Sequence, residues 1–152
     1  MISHNARVLI VEARFYEELA DELAAGAIAV LDAHGVAYGR VAVPGAFEIP
    51  GAIHLAMGAR GGGGFDGFIA LGCVIRGETD HYDHICREVS RALMDLSTRE
   101  RAPLGFGVLT CATYEQARVR AAVERKNKGA EAARACLRMV ELKAAAERGT
   151  AP

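Results

Sequence analysis

The 152-residue chain predicts an α/β fold: a four-stranded parallel sheet with helices on both faces, three layers in all. Three observations lead there. Short apolar runs alternate with stretches of helical periodicity along the whole chain. The main runs are continuous rather than interleaved with polar residues, as strands buried on both faces require. No shift of composition and no internal repeat divides the chain, so one domain over residues 1–152 is expected. Hydrophobic residues make up 51% and charged residues 24%, which excludes a disordered or collagen-like chain. A chain of this size buries roughly 70% of its unfolded surface, enough for a core without metals or cross-links.

Each element has its own signal. Arg7 to Ala13 reads as the first buried strand. Tyr16, Leu19, Ala20, Leu23, Ala27, Val30 and Leu31 recur at helical spacing, and Gly35 supplies a stop. Val36 to Val43 returns as a strand, closed by Pro44-Gly45, the pair expected at the centre of a type II turn. Ile49, Ile53, Ala56 and Met57 mark a short helix, with Pro50 tolerated in its first turn. Gly61 to Gly64 lacks the spacing of a phosphate-binding glycine loop and reads as a surface connector. Phe65 to Ile75 is the longest apolar run and predicts the central strand.

The second half continues the pattern. Tyr82, Ile85, Cys86, Val89, Leu93 and Leu96 form a helical stripe. Pro103 precedes a fourth strand, Leu104 to Thr110, and Thr113-Tyr114-Glu115-Gln116 is a capping box for the next helix. Asn127 reads as the N-cap of the last helix, whose inner face carries Ala133, Cys136, Leu137, Val140 and Ala144. Arg148 to Pro152 reads as a loose tail.

Charge and cysteine usage narrow the function. Eighteen Lys+Arg against 19 Asp+Glu give a net charge of -1, too little basic charge for a general nucleic-acid binder. No apolar run approaches the ~20 residues of a membrane span, and Met1 to Arg7 has no signal-peptide layout. A cytoplasmic protein is expected. Cys73, Cys86, Cys111 and Cys136 stand too far apart for a paired metal clasp and read as buried free thiols.

In a parallel α/β sheet the ligand crevice lies outside the carboxyl ends of the strands. Phe15, then Ala46-Phe47-Glu48, then Arg76 to His81, then Cys111 to Tyr114 all follow strands and share that rim. Gly77 permits a sharp turn, and Thr79 or Asp80 can cap the helix behind it. The N–H groups of Glu78, Thr79 and Asp80 would then face outward as an anion seat. His81 stands beside that seat, off the stripe that starts at Tyr82, and an imidazole there can exchange protons near neutral pH. A surface histidine at a helix start is the plain alternative. His81 and His84 are three apart, but no third soft ligand accompanies them, so no metal is expected. The charge of Asp80 opposes an anion unless it turns outward or supports a protonated His81. Arg118, Arg120, Arg125, Lys126 and Lys128 form a basic stretch: a solvated helix face, or the source of a phosphate clamp. Phe15, Phe47 and Phe106 are either core packing or π faces for a flat heterocycle.

Three blocks, Val43-Pro44-Gly45-Ala46-Phe47-Glu48-Ile49-Pro50, Ala70 through Asp83, and Asn127-Lys128-Gly129, resemble the 6,7-dimethyl-8-ribityllumazine synthase family in order and spacing. The resemblance covers nearly the whole chain. It implies a flavodoxin-like fold and the condensation of 5-amino-6-(D-ribitylamino)uracil with 3,4-dihydroxy-2-butanone 4-phosphate, without metal or organic cofactor. It also implies roles. Phe15 matches the residue that stacks on the pyrimidine, and Ala46, Phe47 and Glu48 match the stretch that holds the ribityl chain. Cys73, Val74 and Ile75 match the strand end that reads the uracil edge, and Glu78 and Thr79 the loop that receives phosphate. His81 matches the proton-transfer histidine. Phe106 and Arg120 match positions supplied by a neighbouring subunit, and Lys128 adds positive charge. The implied assembly is a homo-oligomer, a pentamer or pentamer-based particle, with sites at subunit interfaces. The rival from another class, a non-catalytic flavin- or lumazine-binding protein, would need neither His81 nor Arg120.

Overall fold

The computed structural model describes residues 2–58 and 64–150. Its elements run β1 (Arg7–Ala13), α1 (Glu17–Ala33), β2 (Ala37–Val43), a 3-10 turn (Ala46–Glu48), α2 (Ile49–Met57), β3 (Gly67–Ile75), α3 (His81–Thr98), β4 (Leu104–Cys111), α4 (Tyr114–Ala121) and α5 (Lys128–Glu147). The four strands pair in parallel in the order β2-β1-β3-β4. Helices α1, α4 and α5 cover one face, and α2 and α3 the other. This is the expected α/β sandwich of the flavodoxin-like kind.

Alternation along the strands builds two cores. Val8 and Ile10 of β1 join Leu23, Leu31 and Leu137 under α1 and α5, whereas Leu9 and Val11 join Ile49, Ile53 and Leu93 under α2 and α3. Both faces being covered, an inner strand has no reason to alternate, and this is the physical source of the continuous runs. β2 lies at the edge and leaves Val41 exposed. On the other edge α5 lies flush on β4, because Gly105 presents no side chain. A Cβ there would collide with the carbonyl oxygen of Ala132, and one at Gly129 with that of Leu23 in α1.

The strand order reverses direction between β1 and β3. The connections from these two neighbours leave to opposite faces, so a crevice opens above their carboxyl ends. β1 and β3 stay paired only as far as Glu12 opposite Leu71, whereas β3 and β4 continue to Ile75 opposite Cys111. The last three residues of β3 therefore present one backbone edge to the crevice.

Several local expectations are corrected. Gly45 is extended (φ -146°, ψ 176°), so Pro44-Gly45 is not a type II turn. Instead the Glu48 N–H donates to the Gly45 carbonyl at 3.2 Å and the Gly45 N–H donates to Glu48 Oε1 at 3.0 Å, a reciprocal closure that starts the 3-10 turn. Asn127 makes no cap bond. It adopts the left-handed region (φ 47°), where the Asn127 N–H reaches the Ala122 carbonyl at 3.0 Å and reverses the chain between α4 and α5. Its Oδ1 is turned inward against Gly26 and is buried without a partner. The start of the expected tail is capped: the Thr150 N–H and hydroxyl both reach the Ala145 carbonyl, with Gly149 left-handed (φ 71°). On α5, Ala145 rather than Ala144 completes the buried face. The rest of that tail, residues 151–152, and Gly61 to Gly63 lie outside the described residues.

Candidate active site

Above the ends of β1 and β3 lies a cleft of about 580 Å³, lined by the end of β3 and by residues that follow β1, β2 and β3. One wall is Phe15, just past β1. The facing wall is Gly45, Ala46, Phe47 and Glu48, and the floor is Cys73, Val74 and Ile75. His81 and Ile85, from the first turns of α3, close the far side. Eight residues singled out in the sequence thus meet in one place: Phe15, Ala46, Phe47, Glu48, Cys73, Val74, Ile75 and His81.

The two aromatic walls are not core. Phe15 is 73% exposed and Phe47 58%, while Ala46 between them and the sheet is buried. Glu48 uses Oε1 to hold the Gly45 N–H, leaving Oε2 free to accept further hydrogen bonds. At the floor, burial pushes the Cys73 thiol up to about 12, with the neighbouring Cys111 adding to the effect. Cys73 is thus an apolar neutral surface at physiological pH, not a nucleophile.

The loop after β3 leaves backbone N–H groups open. Its Arg76 is engaged elsewhere: the guanidinium lies 4.4 Å over the Tyr82 ring and Nη2 donates to Asp83 Oδ1 at 3.2 Å. The N–H groups of Glu78, Thr79 and Asp80 bond to no described residue. Thr79 Oγ1 accepts from the His81 N–H at 3.3 Å and so anchors the helix start. Asp80 points away toward His84, Oδ2 to Nε2 at 3.4 Å, so its carboxylate is not the partner of His81. No group of three His, Cys, Asp or Glu side chains converges as a metal cage among the described residues.

Five expected residues fall outside the cleft of a single chain: Glu78, Thr79, Phe106, Arg120 and Lys128. Glu78 and Thr79 are on the adjoining rim. Phe106 does not stand at the carboxyl end of its strand. It is the third residue of β4, opposite Ala70. At about 3.3 Å per residue it lies roughly 16 Å below Cys111. It is half exposed on the sheet edge. Arg120 Nη1 donates to the Gln116 carbonyl at 3.1 Å, and its charge partly offsets the burial that raises Cys111. Lys128 Nζ reaches Glu131 Oε2 at 2.8 Å at the start of α5.

Tyr16, Gly45 and Ile85 line the cleft without having been singled out. Ile85 had a signal: it is four residues from His81, hence on the same helix face. His81 therefore stands at the upper end of the apolar stripe of α3 rather than off it. Tyr16 carries a helical-stripe spacing but sits before α1 with an extended backbone (φ -106°, ψ 95°), its ring edge-on to Phe15 at 4.9 Å. Burial raises its phenol.

A family profile described as 6,7-dimethyl-8-ribityllumazine synthase matches residues 5–144. The synthase of Methylorubrum populi is 54% identical over 144 residues, covering 93% of this chain and 85% of its own. That of Nitrobacter hamburgensis is 53% identical over 141 residues, 91% of this chain and 86% of its own. The "6,7-dimethyl-8-ribityllumazine synthase 1" of Rhizobium meliloti is 54% identical over 138 residues, 90% of each chain.

Proposed function

The chain belongs to the 6,7-dimethyl-8-ribityllumazine synthase family, and from that premise we propose how its residues divide the work. It is an enzyme of riboflavin biosynthesis. It condenses 5-amino-6-(D-ribitylamino)uracil with 3,4-dihydroxy-2-butanone 4-phosphate to 6,7-dimethyl-8-ribityllumazine, releasing phosphate and water.

Phe15 stacks on the pyrimidine, and the open backbone edge of Cys73, Val74 and Ile75 reads the uracil. Ala46, Phe47 and Glu48 hold the ribityl chain, Glu48 through its open oxygen. The phosphate sits on the N–H groups of Glu78 and Thr79. The substrate amine attacks the ketone to give a Schiff base, phosphate leaves, and the second nitrogen closes the ring with loss of water. Each stage moves a proton, and His81 stands where amine and ketone meet. A positioned acid or base contributes roughly 100- to 10,000-fold, and holding both reactants in one cleft removes more, up to ~7–11 kcal/mol of barrier. Arg120 and Lys128 of a neighbouring copy bring positive charge to the phosphate, and its Phe106 covers the ring. The assembly on this reading is a pentamer or a particle made of pentamers. The cytoplasm is the compartment, where the four free thiols remain reduced.

The observation that carries this reading is the convergence of Phe15, Ala46, Phe47, Glu48, Cys73, Val74, Ile75 and His81 on one cleft at the reversal of strand order. The test mixes the two substrates with purified protein and follows lumazine absorbance with phosphate release. Stoichiometric lumazine and phosphate are expected. Tight lumazine binding without turnover would replace the enzyme with a carrier.

A further inference from the structure

Glu12 takes no part in the chemistry above, yet it is the one charged side chain fully buried among the described residues, 3% exposed. Its carboxylate accepts three hydrogen bonds from two arginines. Arg40 of β2 donates from Nε to Oε2 at 2.6 Å and from Nη2 to Oε1 at 2.9 Å, and Arg14 Nη1 donates to Oε1 at 2.7 Å. Arg14 is engaged on every side. Its Nε and Nη2 donate to Glu17 Oε2 at 2.9 and 2.7 Å, and Nη2 also pairs with Asp21. Its backbone N–H donates to the Val43 carbonyl at 3.1 Å. One residue thereby joins the end of β1, the first two turns of α1 and the last residue of β2.

The two cleft walls leave from this joint. Phe15 follows Arg14 directly. Its ring is 73% exposed and meets only the edge of Tyr16 among the aromatic rings. Packing does not hold that ring, so its place is set by the backbone that Arg14 anchors. The facing wall begins right after Val43, the residue to which the Arg14 N–H is bonded.

We propose that Glu12 is a positioning residue. Through Arg14 and Arg40 it sets the spacing between the Phe15 wall and the Ala46-Phe47-Glu48 wall, and with it the affinity of the cleft for a flat heterocycle bearing a polyol chain. This rests on the assignment of Phe15 as the stacking residue. The chemistry of the carboxylate explains why a charge is buried here. Two guanidinium groups share two acceptor oxygens, which fixes both side chains at once. In Glu12→Gln the charge is lost and one acceptor becomes an NH2 group facing a guanidinium, at unchanged side-chain volume. With NH2 in place of Oε2 the Arg40 fork is broken, and with NH2 in place of Oε1 both Arg14 and the second prong of Arg40 lose their acceptor.

The test measures steady-state kinetics with each substrate varied, for Glu12→Gln, Phe15→Ala and the double variant, with melting curves alongside. Glu12→Gln is expected to raise the KM for the pyrimidine about fivefold, the scale of an aromatic stacking contact. The KM for the phosphorylated ketone stays within about twofold, and the double variant is no worse than Phe15→Ala alone. A role in stability alone would lower the melting temperature and leave the two KM values in their original ratio, which overturns the proposal, as does additivity in the double variant. Should Glu12→Gln not fold, Arg40→Lys, which keeps the charge and loses the fork, is read by the same criteria. If Phe15→Ala leaves the pyrimidine KM unchanged, the stacking assignment falls and the positioning role with it. If Phe15→Ala raises that KM and neither Glu12→Gln nor Arg40→Lys does, only the positioning role falls.

Discussion

His81 owes its position to three local facts. The Thr79 hydroxyl holds its N–H, Asp80 is occupied by His84, and Ile85 one turn on shares its face of α3. The imidazole is thus left without a carboxylate partner at the mouth of the cleft, between the open N–H groups and the backbone edge of β3. Its replacement should act on proton transfer and not on binding. We expect His81→Ala to lower kcat about 100-fold or more while the product lumazine binds within about twofold of its normal affinity. Rapid-mix absorbance and fluorescence titration read the two quantities, and an unchanged kcat would remove His81 from the chemistry. At this scale the sequence was most informative where a residue directly follows a strand. Phe15, Ala46, Phe47, Glu48 and His81 needed only the strand ends to be found. Whether Phe106 packs or lies open could not be read from the sequence, because its place on the edge strand β4 depends on register with β3. Tyr16 was missed because helical spacing continues through it although the helix begins one residue later.

Among the elements, the sheet and its helices were legible because burial on two faces leaves a continuous apolar signature. The junctions were less so. Pro44-Gly45 has the composition of a tight turn, but the carboxylate of Glu48 claims the Gly45 N–H and imposes a 3-10 turn instead. Asn127 has the composition of an N-cap, but closing the α4–α5 connection requires its backbone to be left-handed. In both cases a partner several residues away decided the matter. Close approach of α5 to β4 had no signal beyond two glycines, Gly105 and Gly107, around an aromatic. It makes a sharp demand all the same. Gly105→Ala must push α5 off the sheet edge, since its Cβ meets backbone rather than a movable side chain. A loss of about 1–3 kcal/mol in urea unfolding is expected, with the m-value unchanged. Wild-type stability in that variant would mean that the helix does not sit flush.

For the molecule as a whole, the open question is what meets its exposed apolar groups. Phe15, Phe47 and Phe106 are each at least half exposed in a single chain, as are Leu55 and Met94. If the cleft of one copy is completed by Arg120 of another, two crippled variants can repair each other. His81→Ala and Arg120→Ala, each weakly active alone, should regain about a quarter of normal activity when their subunits are randomly co-assembled in equal amounts. Activity that stays at the mean of the two parents would put both residues to work within one chain.

Every residue lining the cleft falls between Phe15 and Ile85, whereas Phe106, Arg120 and Lys128 all come later in the chain. If, as proposed, these later residues complete the cleft of a neighbouring copy, the surface that receives differs from the surface that gives, and copies join head to tail. A mutually swapped pair would leave such surfaces unmatched, while a chain of copies keeps one giver and one receiver idle at its ends until the circle shuts. An unfinished circle then always carries one receptive cleft that nobody completes. Activity per subunit should accordingly climb as closure proceeds, with the last joining event adding two contacts at once.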